Sequence, residues 1–230
     1  MIRSVLLTRS KLLNAEIKTK LQASGYDVLE CNLIKYALQP FDISELRGYE
    51  NLIITSYFAA LNLPDRNINM DASDSLFSDI NAWVVGMKSA KLLEAKGYKV
   101  QFCASSAEEL KQNIPKEIYD STIYLSSDHI TVSMPEEIER KIFYTVKYKE
   151  SLSSEQLSRY KNGIDYILIY STNCAKTLIK LLVQNNLMNY LENTMLIVIS
   201  SKVEKVVKRH FRNVQVCQGA DLMLDYLEKQ

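Results

Sequence analysis

Two distant stretches of the chain share one pattern, in which a short apolar run ends at hydroxyl residues and a helical pattern follows. In the first, Leu52-Ile-Ile54 is followed by Thr55 and Ser56. In the second, Ile167-Leu-Ile169 is followed by Tyr170-Ser-Thr172. Short continuous apolar runs are typical of parallel strands that are covered on both faces, and Ser or Thr is a preferred helix N-cap. The pattern therefore predicts an α/β protein that binds its ligand at the carboxyl ends of its strands.

The order of such landmarks occurs twice along the chain. Four pairs of matching positions lie 112 to 115 residues apart: Ser56 and Ser171, Gly86 and Ser200, Val100–Cys103 and Val214–Cys217, and Leu33–Tyr36 and Thr145–Tyr148. This near-constant offset predicts two copies of one α/β unit. Because crossovers between parallel strands are right-handed, each copy should be a small parallel sheet with helices on both faces. A cleft between the two copies is the expected ligand site.

Two divisions of the chain into these copies are possible. Polar connections cover residues 36–48 and 149–163, at equivalent places in the repeat. If the chain crosses there, one domain is an insert of about residues 37–147, and the other contains residues 1–36 and 148–230. The alternative is a tandem split near residue 118, and the pattern alone does not decide between them. A short helix is predicted around Asp74 to Asn81 within a polar loop.

Composition argues against several classes of protein. The formal net charge is +1, so no overall positive field favours nucleic acid or a membrane. The four cysteines are scattered without metal-ligand spacing, and neither nucleotide-binding glycine motif is present. No apolar run is long enough to span a membrane, and the first nine residues are too short and too charged for a signal peptide. We therefore expect a cytosolic protein with reduced thiols.

Six segments, spread over nearly the whole chain, share a recognisable order and spacing. They are Val5-Leu-Leu-Thr-Arg9, Leu52-Ile-Ile-Thr-Ser56, Val84-Val-Gly86 followed by Ser89-Ala90, Gly97-Tyr-Lys-Val100, Ile142-Phe-Tyr-Thr-Val146 and Ile167-Leu-Ile-Tyr-Ser171. No single segment is diagnostic, but as a set they resemble the uroporphyrinogen-III synthases.

The resemblance implies two flavodoxin-like parallel-sheet domains that are joined by a two-stranded β hinge near residues 31–38 and 142–149. The domains would be residues 1–36 with 148–230, and the insert 37–147. It implies an enzyme without cofactor or metal, and we expect the chain to be a monomer. Such an enzyme cyclises hydroxymethylbilane, a linear tetrapyrrole with many carboxylates, and inverts its terminal ring through a spiro intermediate. Without the enzyme, the bilane closes to the uninverted isomer.

The candidate site residues combine this resemblance with the strand-end pattern. Tyr144 matches the tyrosine that is implicated in the family as the general acid for the leaving hydroxyl; otherwise it packs in the hinge strand. Arg9 could pair with a substrate carboxylate, or form an ordinary ion pair. The full substrate-binding set is Thr8, Arg9, Thr55, Ser56, Gly86, Ser89, Ser171, Thr172 and Ser200. For the hydroxyl residues, the alternative role is helix capping or turn formation.

Two segments depart from the family pattern. Ile199-Ser-Ser-Lys-Val203 replaces the usual Ile-Gly-Pro-x-Thr, and Leu125-Ser-Ser127 replaces the usual Leu-Arg-Gly. Val203 lacks a hydroxyl that the family often has. These changes keep a second hypothesis open, in which the chain is a two-domain ligand-binding or regulatory protein that has lost the chemistry.

Overall fold

A computed structural model of the chain describes residues 2–66 and 80–230. The chain forms two compact units. The terminal unit consists of Met1–Tyr36 and Lys147–Gln230, and the inserted unit consists of Ala37–Val146. Apart from residues 80 and 81, the helix predicted around Asp74 to Asn81 lies outside the described residues.

Strands and helices alternate along most of the chain. In chain order, the strands are β1 (Ser4–Leu7), β2 (Asp27–Glu30), β3 (Ile34–Leu38), β4 (Asn51–Ile54), β5 (Asn81–Val85), β6 (Lys99–Ala104), β7 (Thr122–Ser127), β8 (Glu139–Tyr148), β9 (Tyr166–Ile169), β10 (Met195–Val198) and β11 (Val214–Val216). The helices are α1 (Lys11–Ala23), α2 (Tyr57–Asn62), α3 (Met87–Ala95), α4 (Ala107–Asn113), α5 (Ser154–Lys161), α6 (Thr172–Gln184), α7 (Ser201–Val207) and α8 (Ala220–Glu228). Short 3-10 helices cover Ile43–Leu46, Lys116–Ser121 and Met188–Leu191.

The terminal unit is built on a five-stranded parallel sheet in the order β11-β10-β9-β1-β2. Its central strands are apolar because helices cover both faces, and every residue of β9 is buried. One core cluster joins strand residues to α1 and α8 through Leu7, Leu168, Ile197, Leu21 and Met223. The apolar run Ile167–Ile169 is thus a central parallel strand, as predicted.

The inserted unit is built on a six-stranded sheet in the order β3-β8-β7-β4-β5-β6. Strands β8, β7, β4, β5 and β6 are parallel. At the edge, the Gln39 N–H donates to Phe143 O and the Lys149 N–H donates to Leu33 O, each at 2.9 Å, so β3 runs antiparallel to β8. The two-stranded ladder predicted near residues 31–38 and 142–149 is therefore present. Its role as a hinge stays a prediction.

The fold class is α/β with two parallel-sheet units, as predicted. The chain passes from one unit to the other inside β3 and again inside β8. Among the described residues, no helix combines the length and hydrophobicity that a bilayer crossing requires. Nor does this part of the chain contain a group of three or more His, Cys, Asp or Glu side chains that could hold a metal ion.

Candidate active site

The parallel order of the terminal unit brings three strand ends to one edge. Strand β9 lies between β1 and β10, so the residues that follow these strands are neighbours. Arg9 follows β1, Ser171 and Thr172 follow β9, and Ser200 follows β10. Four of the predicted substrate-binding residues therefore share the carboxyl edge of one sheet, where α/β proteins bind ligands.

Arg9 is a cation at this edge. It is half-buried, and its guanidinium carbon lies 3.8 Å from the centre of the Tyr170 ring. No acidic side chain pairs with it in the part of the chain that the structure describes. Stacking holds the guanidinium in place without neutralising its charge. An anionic ligand would supply the partner that the described residues do not.

Tyr170 and Asn14 support Arg9, although neither is among the site residues predicted from sequence. Burial raises the pKa of Tyr170 to about 12, while the neighbouring Arg9 charge acts in the opposite direction. Tyr170 therefore stays neutral beneath the cation at neutral pH. Asn14 is fully buried, and its Nδ2 donates to Arg9 O at 2.9 Å, which fixes the backbone of that residue. Tyr170 was detectable in sequence because it directly follows the apolar run of β9, whereas Asn14 carried no signal.

Thr8 has a different environment from Arg9. It is 0% exposed, and its hydroxyl donates to Leu168 O at 2.6 Å. This bond joins β1 to β9 below the edge of the sheet. The only proton that the Thr8 side chain can donate is therefore used inside the protein, and the geometry gives this residue a structural role.

The three remaining polar residues of the edge differ in how their helices use them. Ser171 caps α6, because its Oγ accepts the N–H of Cys174 at 3.1 Å. Thr172 is the first residue of the same helix and is partly exposed. Ser200 occupies the N-cap position of α7, but its side chain makes no capping hydrogen bond. Its hydroxyl is thus not used by the helix that it precedes.

The inserted unit has an equivalent edge, where β7, β4 and β5 end side by side. Thr55 and Ser56 follow β4, and Gly86 follows β5. Thr55 Oγ1 lies 2.8 Å from Tyr124 OH, and Ser56 caps α2 by accepting the N–H of Ala59 at 3.1 Å. Both residues are partly exposed.

Gly86 and Ser89 form the turn between β5 and α3. Gly86 has φ +89°, a conformation that residues with a side chain rarely adopt, and its N–H donates to Ala104 O at 2.8 Å. Gly86 O in turn accepts the N–H of Ser89 at 3.0 Å. Ser89 is only 3% exposed, so a substrate has little access to its side chain.

Tyr144 lies in the middle of β8, level with the last residue of β7. Its ring packs on Phe58 with ring centres 4.9 Å apart, and it is 6% exposed. In the β7–β8 pairing it is opposite Ser127. Burial raises the pKa of the nearby Tyr124, and the Tyr144 phenol adds to this rise. The structure thus brings Tyr144, Tyr124 and Thr55 into one cluster in the inserted unit.

The family is decided by the sequence of residues 15–222. This segment matches the family model described as uroporphyrinogen-III synthase HemD. The chain belongs to the uroporphyrinogen-III synthase family. Members of this family are cyclising lyases that use no cofactor. The predicted family, enzyme class and function in tetrapyrrole biosynthesis are confirmed.

Similar proteins agree with this assignment. A protein of Rickettsia prowazekii (strain Madrid E), named Uncharacterized protein RP474, is 34% identical over 95% of this chain and 94% of its own length. The structure of uroporphyrinogen-III synthetase from Helicobacter pylori 26695 has a TM-score of 0.61 at 17% identity and covers 99% of both chains. A mutant uroporphyrinogen III synthase from the extremely thermophilic bacterium Thermus thermophilus also has a TM-score of 0.61, at 12% identity, and covers 99% of this chain and 98% of its own. At these identities, the two structures establish the shared fold.

Both departures from the pattern of the synthase family lie at buried or capping positions. Val203 is buried in α7, so an apolar side chain suits its surroundings. Ser126 and Ser127 are buried at the end of β7. Ser126 Oγ accepts a hydrogen bond from Arg140 Nε at 2.8 Å. The serine pair is therefore integrated into the inserted unit through an arginine from the neighbouring strand.

Proposed function

We propose that this chain is an active uroporphyrinogen-III synthase, which closes hydroxymethylbilane into a ring with inversion of the terminal pyrrole and loss of water. Family membership supports the reaction. One feature of the site carries the proposal that activity is retained: the half-buried Arg9, stacked on Tyr170 and without an acidic partner in the described chain. A partly buried charge is costly unless a ligand pairs with it, so its retention fits a polycarboxylate substrate.

Substrate binding would combine this cation with neutral donors. We propose that the carboxylates of the bilane bind to Arg9 and to strand-end residues, namely Thr55, Ser56, Ser171, Thr172 and Ser200. Gly86 would shape the turn between β5 and α3. A hydrogen bond to a charged group contributes about 1.5–3 kcal/mol, so a few such bonds hold a flexible tetrapyrrole without a strongly basic protein. This agrees with the net charge of +1.

Tyr144 is the proposed general acid. The hydroxyl of the bilane leaves as water, which requires a proton, and a phenol with an ordinary pKa of about 10 is a modest acid at neutral pH. Most of the catalytic effect is therefore assigned to proximity. The enzyme must hold the substituted carbon of the terminal ring against the electrophilic carbon before the unsubstituted carbon reacts.

We further infer that the two compact units act as the two domains of a cytosolic monomer that binds no nucleic acid. The division into residues 1–36 with 147–230 and residues 37–146 supports the first point. The four free cysteines fit a reducing compartment. The ladder of β3 and β8, through which the chain passes twice, is the proposed hinge.

A product assay tests the proposed function. Purified protein is given fresh hydroxymethylbilane, the products are oxidised, and the uroporphyrin isomers are separated. The inverted isomer should predominate with the protein, and the uninverted isomer should predominate without it. The same isomer mixture with and without protein would contradict the proposal and favour a chain that has lost its chemistry.

A further inference from the structure

Three consecutive charged residues on β8 differ in how they are paired. Glu139 accepts a hydrogen bond from the Tyr49 hydroxyl, and Lys141 forms an ion pair with Glu45. Arg140, between them, points to the other face of the sheet. Among the residues that the structure describes, Arg140 has no acidic partner. Arg140 thus carries the one charge of this triplet that no described residue offsets.

Three hydrogen bonds hold the Arg140 guanidinium in one orientation. Its Nε donates to Ser126 Oγ at 2.8 Å, and its Nη2 donates to Ser127 O at 2.7 Å and to Asp128 O at 3.2 Å. The two N–H groups of Nη1 meet no acceptor among the described residues. Arg140 is also exposed. The side chain is therefore fixed on one side and open on the other.

The side chain of Asp128, whose backbone carbonyl accepts from Arg140, is used elsewhere. Asp128 Oδ1 accepts the N–H groups of Val146 at 2.9 Å and of His129 at 3.1 Å, and its Oδ2 lies 3.8 Å from His129 Nε2. Asp128 contributes only its backbone carbonyl to Arg140. The Asp128 carboxylate therefore does not pair with the Arg140 guanidinium.

Arg140 also lies beside the cluster of the inserted unit that contains Tyr144. It is paired with Tyr124 in the β7–β8 register, and Tyr124 OH is 2.8 Å from Thr55 Oγ1. The charge of Arg140 opposes the rise in the pKa of Tyr124 that burial causes, which reflects their closeness. A cation, a phenol and a hydroxyl thus lie close together near the carboxyl ends of β4 and β7.

We propose that Arg140 is a substrate-binding residue, which donates from Nη1 to a carboxylate of the tetrapyrrole and gives the inserted unit its own anion site. This inference rests on the proposed function for the identity of the substrate. With Arg140, the inserted unit has a cation beside its strand-end hydroxyls. The terminal unit would then bind a substrate carboxylate through Arg9, and the inserted unit through Arg140. Ser126 acts as a positioning residue, because it orients Nε.

A binding measurement tests this site without requiring turnover. The probe is uroporphyrin III, an octacarboxylate, titrated while its fluorescence anisotropy is followed. Arg140→Gln should raise the Kd about tenfold, because one charge-assisted hydrogen-bonding group is lost. Arg47→Gln is the matched control. Arg47 is an exposed arginine of the inserted unit, and it lies just before the amino end of β4, whereas the proposed site is near the carboxyl ends of the strands. This variant removes the same charge and should change the Kd less than about twofold. Equal Kd values for the two variants would overturn the proposal.

A chemical measurement on the unaltered protein covers the case in which Arg140→Gln does not fold. Phenylglyoxal modifies accessible arginines, and mass spectrometry reports the extent at each site. Saturating uroporphyrin III should slow the modification of Arg140 about fivefold or more, while leaving Arg47 unchanged. Equal modification of Arg140 with and without the porphyrin would overturn the proposal.

The two proposals can fail separately. Protection of Arg140 by uroporphyrin III together with an uncatalysed isomer mixture would contradict the synthase activity and leave the carboxylate site standing. An inverted product together with an unprotected Arg140 would support the synthase activity and remove Arg140 from its substrate contacts. With bilane as substrate, Arg140→Gln should raise KM about tenfold with a smaller change in kcat, because this contact is present before the ring closes.

Discussion

At the scale of single residues, the hydroxyls at the strand ends differ in what remains available for a ligand. Thr8 donates its only side-chain proton to Leu168 O, whereas Ser200 makes no capping bond to its helix. Arg9 keeps its charge because Tyr170 offers a ring face and not a carboxylate. Position at a strand end is therefore not enough to make a ligand donor. The local hydrogen-bond partner decides whether a proton or a charge is left over.

Tyr144→Phe isolates the proposed general acid. The change keeps the ring that packs on Phe58 and removes only the hydroxyl. We expect kcat to fall about ten- to a hundredfold and not to zero, because a phenol is a modest acid and proximity supplies most of the rate. Steady-state rates with fresh bilane and isomer separation measure the effect.

Tyr98→Phe is the control for this change. Tyr98 is a buried tyrosine of the same unit, and its hydroxyl donates to Pro64 O at 3.2 Å, beside the amino end of β6. Its loss should leave kcat close to that of the unaltered protein. If Tyr144→Phe also turned over at the unaltered rate, Tyr144 would have no part in the mechanism.

At the scale of secondary structure, serine caps recur with one geometry. Ser56, Ser106 and Ser171 each accept the N–H three residues ahead at 3.1 Å, at the starts of α2, α4 and α6. Helix capping alone explains why serine follows these strands. Two of these serines are also proposed to bind substrate, and Ser106 is not. The comparison between caps therefore separates stability from binding.

Ser171→Ala and Ser106→Ala form a matched pair. Each should lower the free energy of unfolding by about 1 kcal/mol, because each leaves one helix N–H without its cap. Urea unfolding measures this loss. Only Ser171→Ala should also raise KM for the bilane, about threefold or more, because one neutral hydrogen bond to the substrate is lost as well. Equal KM values in the two variants would show that Ser171 is a cap and nothing more.

At the scale of the whole molecule, each unit contains a tyrosine with a strongly raised pKa. Burial raises the pKa of Tyr98 in the inserted unit and of Tyr170 in the terminal unit, each to about 12. The ordinary value, which applies to the unfolded chain, is 10.0. Between these values, the unfolded chain releases protons that the folded chain retains. Both units should therefore lose stability as the pH rises through this range.

Alkaline unfolding tests this dependence. The contribution of the two tyrosines is fully present below about pH 10 and should decline by about 2 kcal/mol each as the pH approaches 12. Urea unfolding at about pH 9 and about pH 11.5 measures the difference. Tyr98→Phe and Tyr170→Phe should each reduce the loss, whereas Tyr190→Phe, a change at an exposed position, should not. The same loss in all three variants would place the alkaline instability elsewhere.

Much of the fold could be predicted from local pattern. The runs Leu52–Ile54 and Ile167–Ile169 are central strands because a strand covered on both faces must be apolar throughout. The positions of Ser56 and Ser171 as caps also follow from local preference. In contrast, the hydrogen bond from Asn14 to Arg9 was not predictable. Asn14 is a polar residue on the buried face of α1, and the pattern of apolar residues in the sequence does not identify such a position.

Local sequence was enough to predict the alternation of strands and helices, the family and the candidate strand ends, because these depend on neighbouring residues and on a repeated order. Which side chains remain available to a ligand depends instead on contacts between distant parts of the chain. Thr8 meets Leu168 across 160 positions of the chain, and Arg140 meets Ser126 from the next strand. Such partners come together through the order of strands in the sheet. The Thr8 hydroxyl therefore donates to a buried carbonyl and has no proton left for a ligand. Arg9 and Arg140 each keep a charge that has no acidic partner among the described residues.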